Sequence, residues 1–178
     1  MKKVALPLGK VYGLIEPGPV ILLTTLRKDR PNVMPLSWHT MLEFEPPLIA
    51  CVVSDRNYSF DLLRKTKECV INIPTATLAK KVVGCGNTSG ATTDKFQTFQ
   101  LTARSARRVI APLIDECYAN LECRVVDTRM VAKYGLFILE VLAAWIDPKV
   151  KNPRTLHHRG NGHFMIAGDT LALRSRMK

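Results

Sequence analysis

The sequence predicts a mainly β protein with short helices, folded as one small closed or Greek-key-like barrel. Three observations predict it. Six or so strand-length apolar or alternating runs follow one another at short spacing. Turn residues such as Pro17-Gly18-Pro19 and Asp29-Arg30-Pro31-Asn32 separate them. Only two or three short helical patterns intervene, without regular alternation, which excludes a doubly wound α/β fold. The 178 residues suit a single domain, 1–178, with a C-terminal flap or arm from about 148.

The elements follow in order. Val20-Ile21-Leu22-Leu23-Thr24-Thr25 is short, apolar and rich in strand formers. Asn32 to Met41 reads as a second strand, joined to the first by a turn; Pro35 within it removes a backbone donor and marks an edge or a bulge. Leu48 to Val53 is a third strand, entered through Pro46-Pro47. The first and third runs have no polar face, so a helix or a second subunit must cover their outer sides. Ser59 to Lys67 reads as a helix with Asn57 or Ser59 as its N-cap. Cys69 to Ile73 is a strand stopped by Pro74. Thr75 caps a second helix, with Leu78, Ala79, Val82 and Val83 on one face and Gly84 at its end. A polar, glycine-rich loop begins at Gly84. Residues 119–125 alternate cleanly, as a half-exposed strand does, and Leu136 to Ile146 forms a long strand. The tail holds a polar loop, Asn152 to Gly162, and a short apolar piece at 164–167.

Composition narrows the function classes. Hydrophobic residues make up 47%, against disorder. No apolar run approaches the ~20 residues of a membrane span, and Pro7 breaks the basic start too early for an export signal, so a cytoplasmic protein with no membrane partner is expected. The net charge of +11 is scattered and lacks aromatic interleaving or a nucleic-acid module. It reads as a basic surface that attracts anionic cofactors or partners, with no nucleic acid. Five cysteines without a CxxC read as core thiols in a reducing compartment; a redox or metal role for Cys85 is the alternative.

No standard catalytic motif is present. Two loops draw attention. Ser54 to Ser59 leaves a strand and enters a helix, whose free N–H groups favour anions; Arg56 adds a planar donor fork and Ser59 a hydroxyl. Asn87 to Phe96 combines glycine and hydroxyl residues that permit a phosphate nest, with Lys95 for charge. An ordinary capped helix and a plain loop are the competing readings. His157, His158 and His163 lie close together without a fourth soft ligand, so no metal site is expected; His157 and His158 sit in a segment able to act as a flap.

Several pieces together resemble the flavin-reductase-like family of FMN-binding split barrels, in its flavoredoxin branch. They are Gly18-Pro19-Val20 with Thr24-Thr25, Pro31-Asn32-Val33-Met34 with Ser37-Trp38, and Pro46-Pro47. The Arg56…Ser59 step, Val70 to Pro74, and Gly86…Ser89-Gly90 with Asp94-Lys95-Phe96 follow. Last come Leu121-Glu122-Cys123, Leu136-Phe137 with Glu140-Val141, and Arg154 to His158. The resemblance implies a split β-barrel homodimer holding noncovalent FMN near the subunit interface. It assigns Arg56, Asn57, Ser59, Ser89, Gly90 and Lys95 to the FMN phosphate. Asn32, Met34, Ser37 and Trp38, with Cys51 and Val52 on the next strand, would line the ring. Tyr134 stands where the reductase branch often carries a histidine associated with nicotinamide binding, which weakens direct use of NADH or NADPH. Tyr134, His157 and His158 mark the substrate side. The implied function is that of a redox flavoprotein, either an electron carrier reduced by a protein partner or an NAD(P)H-dependent flavin reductase. A non-catalytic FMN sensor or store is the alternative.

Overall fold

The computed structural model describes residues 3–11 and 18–174. The principal sheet is antiparallel throughout. Its strands are β2 (Ile21–Arg27), β3 (Arg30–Leu36), β4 (His39–Glu43), β5 (Leu48–Val52), β6 (Glu68–Ile73), β9 (Ala119–Asp127) and β10 (Leu136–Ile146), in the order β3-β2-β6-β9-β10-β5-β4. A two-residue strand, β1 (Val4–Ala5), pairs with the end of β10. The two end strands, β3 and β4, are consecutive in the chain. The sheet therefore curls into a barrel whose seam is bridged by Ser37-Trp38 and not by a ladder. This is a mainly β split barrel with short helices, as the sequence predicts.

The expected strand 32–41 is thus two strands, broken at Ser37-Trp38, and β3 is an edge strand, which accommodates Pro35. Alternation fills the barrel. Ile21 and Leu23 of β2, Ile49 and Cys51 of β5, Cys69, Ile71 and Ile73 of β6, and Phe137 and Leu139 of β10 point inward. Helix α1 (Tyr58–Thr66) packs onto this core, with the rings of Phe60 and Phe137 edge to face at 5.5 Å. Its C-terminal Lys67 takes the left-handed conformation, φ 60°, and closes the helix through its N–H to the Leu63 carbonyl.

The outer side of β2 is covered by a second apolar cluster. Leu22 and Val20 meet Leu78, Val82 and Cys85 of the next helical segment, and Phe96 of α3 (Lys95–Thr98). That segment is a 3-10 turn, Ala76–Leu78, followed by α2 (Ala79–Asn87). The helix does not stop at Gly84. A side chain there would strike the Phe99 ring, and one at Gly86 would press Pro35 at 3.1 Å, so both glycines mark close packing inside a helix. Cys85 is consequently a buried helical thiol and not part of a loop.

Residues 119–123 are buried on both faces, whereas alternation predicts half exposure. The 102–118 segment, with strands β7 (Ala103–Arg104) and β8 (Leu113–Ile114), lies over them. The buried Glu122 carboxylate accepts from the Arg107 and Arg108 N–H groups and from Trp145 Nε1. Asn120 donates to Asn72 and to the Ile114 carbonyl. A four-residue helix, α4 (Val131–Tyr134), precedes β10. The tail loop is a β-hairpin of β11 (Leu156–His158) and β12 (Phe164–Ile166). No described helix is long and apolar enough to cross a membrane.

Candidate functional site

The two loops singled out in the sequence meet. The β5–α1 connection places Arg56, Asn57 and Ser59 on one wall of a polar cleft of about 240 Å³; Ser89, Gly90 and Lys95 form the facing wall, with Asn32 and Met34 of β3 at its floor. Asn57 is the N-cap residue of α1, yet no side chain caps the helix, so first-turn N–H groups stay available to a ligand. Arg56 is exposed and Ser59 is buried.

The 87–95 loop is held in a tight turn. Thr93 N–H donates to the Ser89 carbonyl at 3.0 Å, and Asp94 caps α3 through Gln97 N–H. A Cβ on Gly90 would collide with the side-chain oxygen of Asn32 and meet the Tyr58 ring at 3.1 Å. The glycine is what lets this loop lie directly on β3 and α1.

Asn32 is 3% exposed. Its Nδ2 donates to Ser59 Oγ at 2.8 Å, while its Oδ1 is buried with no hydrogen-bond partner. A buried unpaired amide oxygen costs roughly 1–3 kcal/mol; here it is packed against Gly90 beneath the cleft. Lys95 is buried too, and its ammonium donates to the Val33 carbonyl at 3.0 Å and the Cys85 carbonyl at 2.7 Å. These use two of its three donors. Burial lowers its pKa from the ordinary lysine value, partly opposed by Cys85. Lys95 therefore fastens β3 to α2 while presenting charge to the cleft. Burial also pushes the Cys85 thiol up to about 11, which keeps it protonated and unreactive at neutral pH.

Through Gly86 and Asn87 the cleft adjoins a second, more apolar pocket of about 320 Å³. Pro35 of β3, Ser37 just beyond it, Val82 and Val83 of α2, and His158 and Phe164 of the β11–β12 hairpin line it. The His158 and Phe164 rings lie 5.2 Å apart.

Placement of the remaining expected residues differs. Trp38 is 71% exposed beside the seam. Cys51 points into the barrel core and is fully buried, away from the cleft, because β5 alternates and Cys51 falls on its inner side. Val52 lies on the outer side, half-exposed, its N–H bonded to the Trp38 carbonyl. Tyr134 stands exposed on α4 with the Lys133 ammonium 5.0 Å from its ring centroid. His157 is opposite in facing to His158 and bonds Thr155 Oγ1. The described residues hold no cluster of three metal-ligating side chains.

Some residues escaped sequence reasoning. Val83 and Phe164 read as plain core positions but wall the apolar pocket. His39 is a second case. Its Nε2–H donates to the Pro19 carbonyl at 2.7 Å, its Nδ1 is buried without a partner, and burial lowers its pKa.

With this geometry in view, the model of the flavin reductase like domain matches residues 14–165. The chain belongs to that family. An uncharacterised protein of Archaeoglobus fulgidus is 37% identical over 114 residues, which span 64% of each chain. Among solved structures, the FMN-binding domain of a flavin reductase-like enzyme from Shewanella baltica superposes with a TM-score of 0.92 at 26% identity, covering 97% of this chain and 98% of that one. A flavoredoxin from Methanosarcina acetivorans gives a TM-score of 0.74 at 27% identity, covering 89% of each. Within this flavin reductase-like barrel, Ser59 accepts from Asn32 and so keeps its own O–H free to donate into the cleft.

Proposed function

We propose that the cleft holds FMN and that the protein works as a homodimeric electron carrier of flavoredoxin type. The observation that carries this reading is the meeting of Arg56, Ser59, Ser89, Gly90 and Lys95 around one polar cleft. A ribityl phosphate fits it: its phosphate takes the Ser59 O–H and the Arg56 guanidinium. The neighbouring apolar pocket is of a size to seat a flat ring against Pro35, Ser37 and Phe164, under His158.

Bound FMN supplies hydride and one-electron chemistry. The chain binds the phosphate, orients the ring and, with a net charge of +11, attracts an acidic redox partner. The carrier is favoured over an NAD(P)H-dependent reductase by Tyr134, which takes the place where the resemblance to the reductase branch leads one to expect a histidine.

The purified protein should be yellow, and under anaerobic conditions dithionite should bleach it while NADH and NADPH do not. Bleaching by a nicotinamide selects the reductase, and a colourless protein that takes up no FMN sinks the flavin reading. Arg56→Ala should weaken FMN by roughly 1.5–3 kcal/mol, the worth of a charge-assisted hydrogen bond, or about 10–100-fold. Riboflavin, which lacks the phosphate, should be nearly indifferent to that change. Equal losses for both would mean that Arg56 supports the loop without reading phosphate.

A further inference from the structure

The two edges of the sheet are finished differently. On β3, alternation turns the main-chain groups of residues 31, 33 and 35 outward, since Leu23 and Met34 pair across the hairpin while Leu22 turns to β6. Pro31 and Pro35 have no N–H to offer there, and the Val33 carbonyl is taken by Lys95. That edge lacks two of its donors and one of its acceptors for further pairing. β4 is less protected: its devices are a register shift in its ladder to β5, between Met41 and Glu43, and Thr40 Oγ1, which donates to the Met41 carbonyl at 3.3 Å. It is the last strand at the other edge, its residues 39–43 carry no proline, and Thr40, Leu42 and Glu43 are exposed. Leu42 is 51% exposed, and the carboxylates of Glu43 and Glu45 have no ion-pair partner among the described residues.

At the C-terminus, residues 168–174 run without regular secondary structure. Leu171 and Leu173 are 78% and 76% exposed, spaced so that an extended chain shows both on one side. The segment's one hydrogen bond among the described residues is Thr170 Oγ1 to Asn152. Arg174 follows, and Arg176 and Lys178 continue the sequence. An exposed edge strand that shows Leu42 and ends in Glu43, with Glu45 just beyond, is complementary to this basic, leucine-bearing tail.

We propose that the tail of a second copy docks along β4 as an added strand, its leucines against Leu42 and its Arg174 towards Glu43 and Glu45. Strand addition supplies main-chain hydrogen bonds, and the leucine spacing and charges supply register. The proposal rests on the homodimer reading.

The test pairs Leu42→Cys with Leu171→Cys in the full chain under mild oxidation. The native cysteines are all buried. The double variant should give a species of twice the chain mass on denaturing gels, and neither single variant should. Deleting residues 168–178 should weaken the dimer at least ten-fold by sedimentation. Glu43→Arg with Glu45→Arg should do likewise, and Arg174→Glu, Arg176→Glu and Lys178→Glu added to that pair should restore it. No cross-link, or one that leaves the mass unchanged, overturns the proposal. A wild-type protein that is monomeric at all concentrations overturns the homodimer reading as well; a dimer indifferent to the deletion overturns the tail alone.

Discussion

β2 and β5 read alike in the sequence and end up in unlike surroundings. Both are short apolar runs with an inward row, Ile21 and Leu23 in one, Ile49 and Cys51 in the other. On β2 the outward row is closed by the chain itself. Leu22 lies under Leu78, Val82 and Phe96, and Thr24 donates to the Pro112 carbonyl at 2.6 Å. On β5 the outward Leu48 and Val52 remain half-exposed beside Leu42 of β4 and Ile138 of β10. A strand without a polar face therefore says that something covers it, but not whether the cover lies in cis or in trans. Here one strand has the first, and the homodimer proposed above gives the other the second.

Three measurements break or sharpen that contrast. Leu22→Ala should cost about 2–5 kcal/mol of folding stability, the usual range for a buried leucine that leaves a cavity, read as a lower urea midpoint. A loss small enough to match a surface substitution would mean that the α2 cover on β2 is loose. His39, on the inner side of β4, should make stability fall on acidification. Burial lowers its folded pKa below the ordinary 6.5, so the unfolded chain takes up the proton first as pH drops through that value. The melting temperature should decline by a few degrees between neutral pH and mildly acid pH, and His39→Asn should flatten the decline; an equal decline in both would remove His39 from the account. Smallest is Leu48→Ser on the open side. In dilute, monomeric solution it should shift stability by less than about 1 kcal/mol, while weakening self-association at least ten-fold. A Leu48 loss as large as that of Leu22 would show that β5 is covered within the chain after all.

Much of this was legible in the residues. The bounds of β10 follow from composition alone, and β3 is the edge that Pro35 implies. The two loops that meet at the polar cleft stand out by their residue types, and the resemblance joins them. Pattern does not reveal what lies against a pattern. The break at Ser37-Trp38 is invisible because both sides of it favour strands. Gly84 and Gly86 look like a helix stop, yet they answer to Phe99 and Pro35. Asn120 and Glu122 look solvated because their partners come from the 102–118 segment and from β6 and β10, distant in the sequence. The resemblance implies Cys51 and Val52 together beside the ring, but neighbours on a strand face opposite ways, and Cys51 faces the core.

The protected edge of β3 also has a meaning in time. The β2–β3 hairpin is local and can form as soon as residue 36 has left the ribosome, since domains begin to fold from the N-terminus during synthesis. Lys95, which occupies the Val33 carbonyl in the finished protein, is made 62 residues after its partner. During that interval Pro31 and Pro35 alone deny the nascent hairpin two of the donors that a neighbouring nascent chain would pair with. The prolines guard the edge early, and the lysine takes over once α2 and α3 arrive.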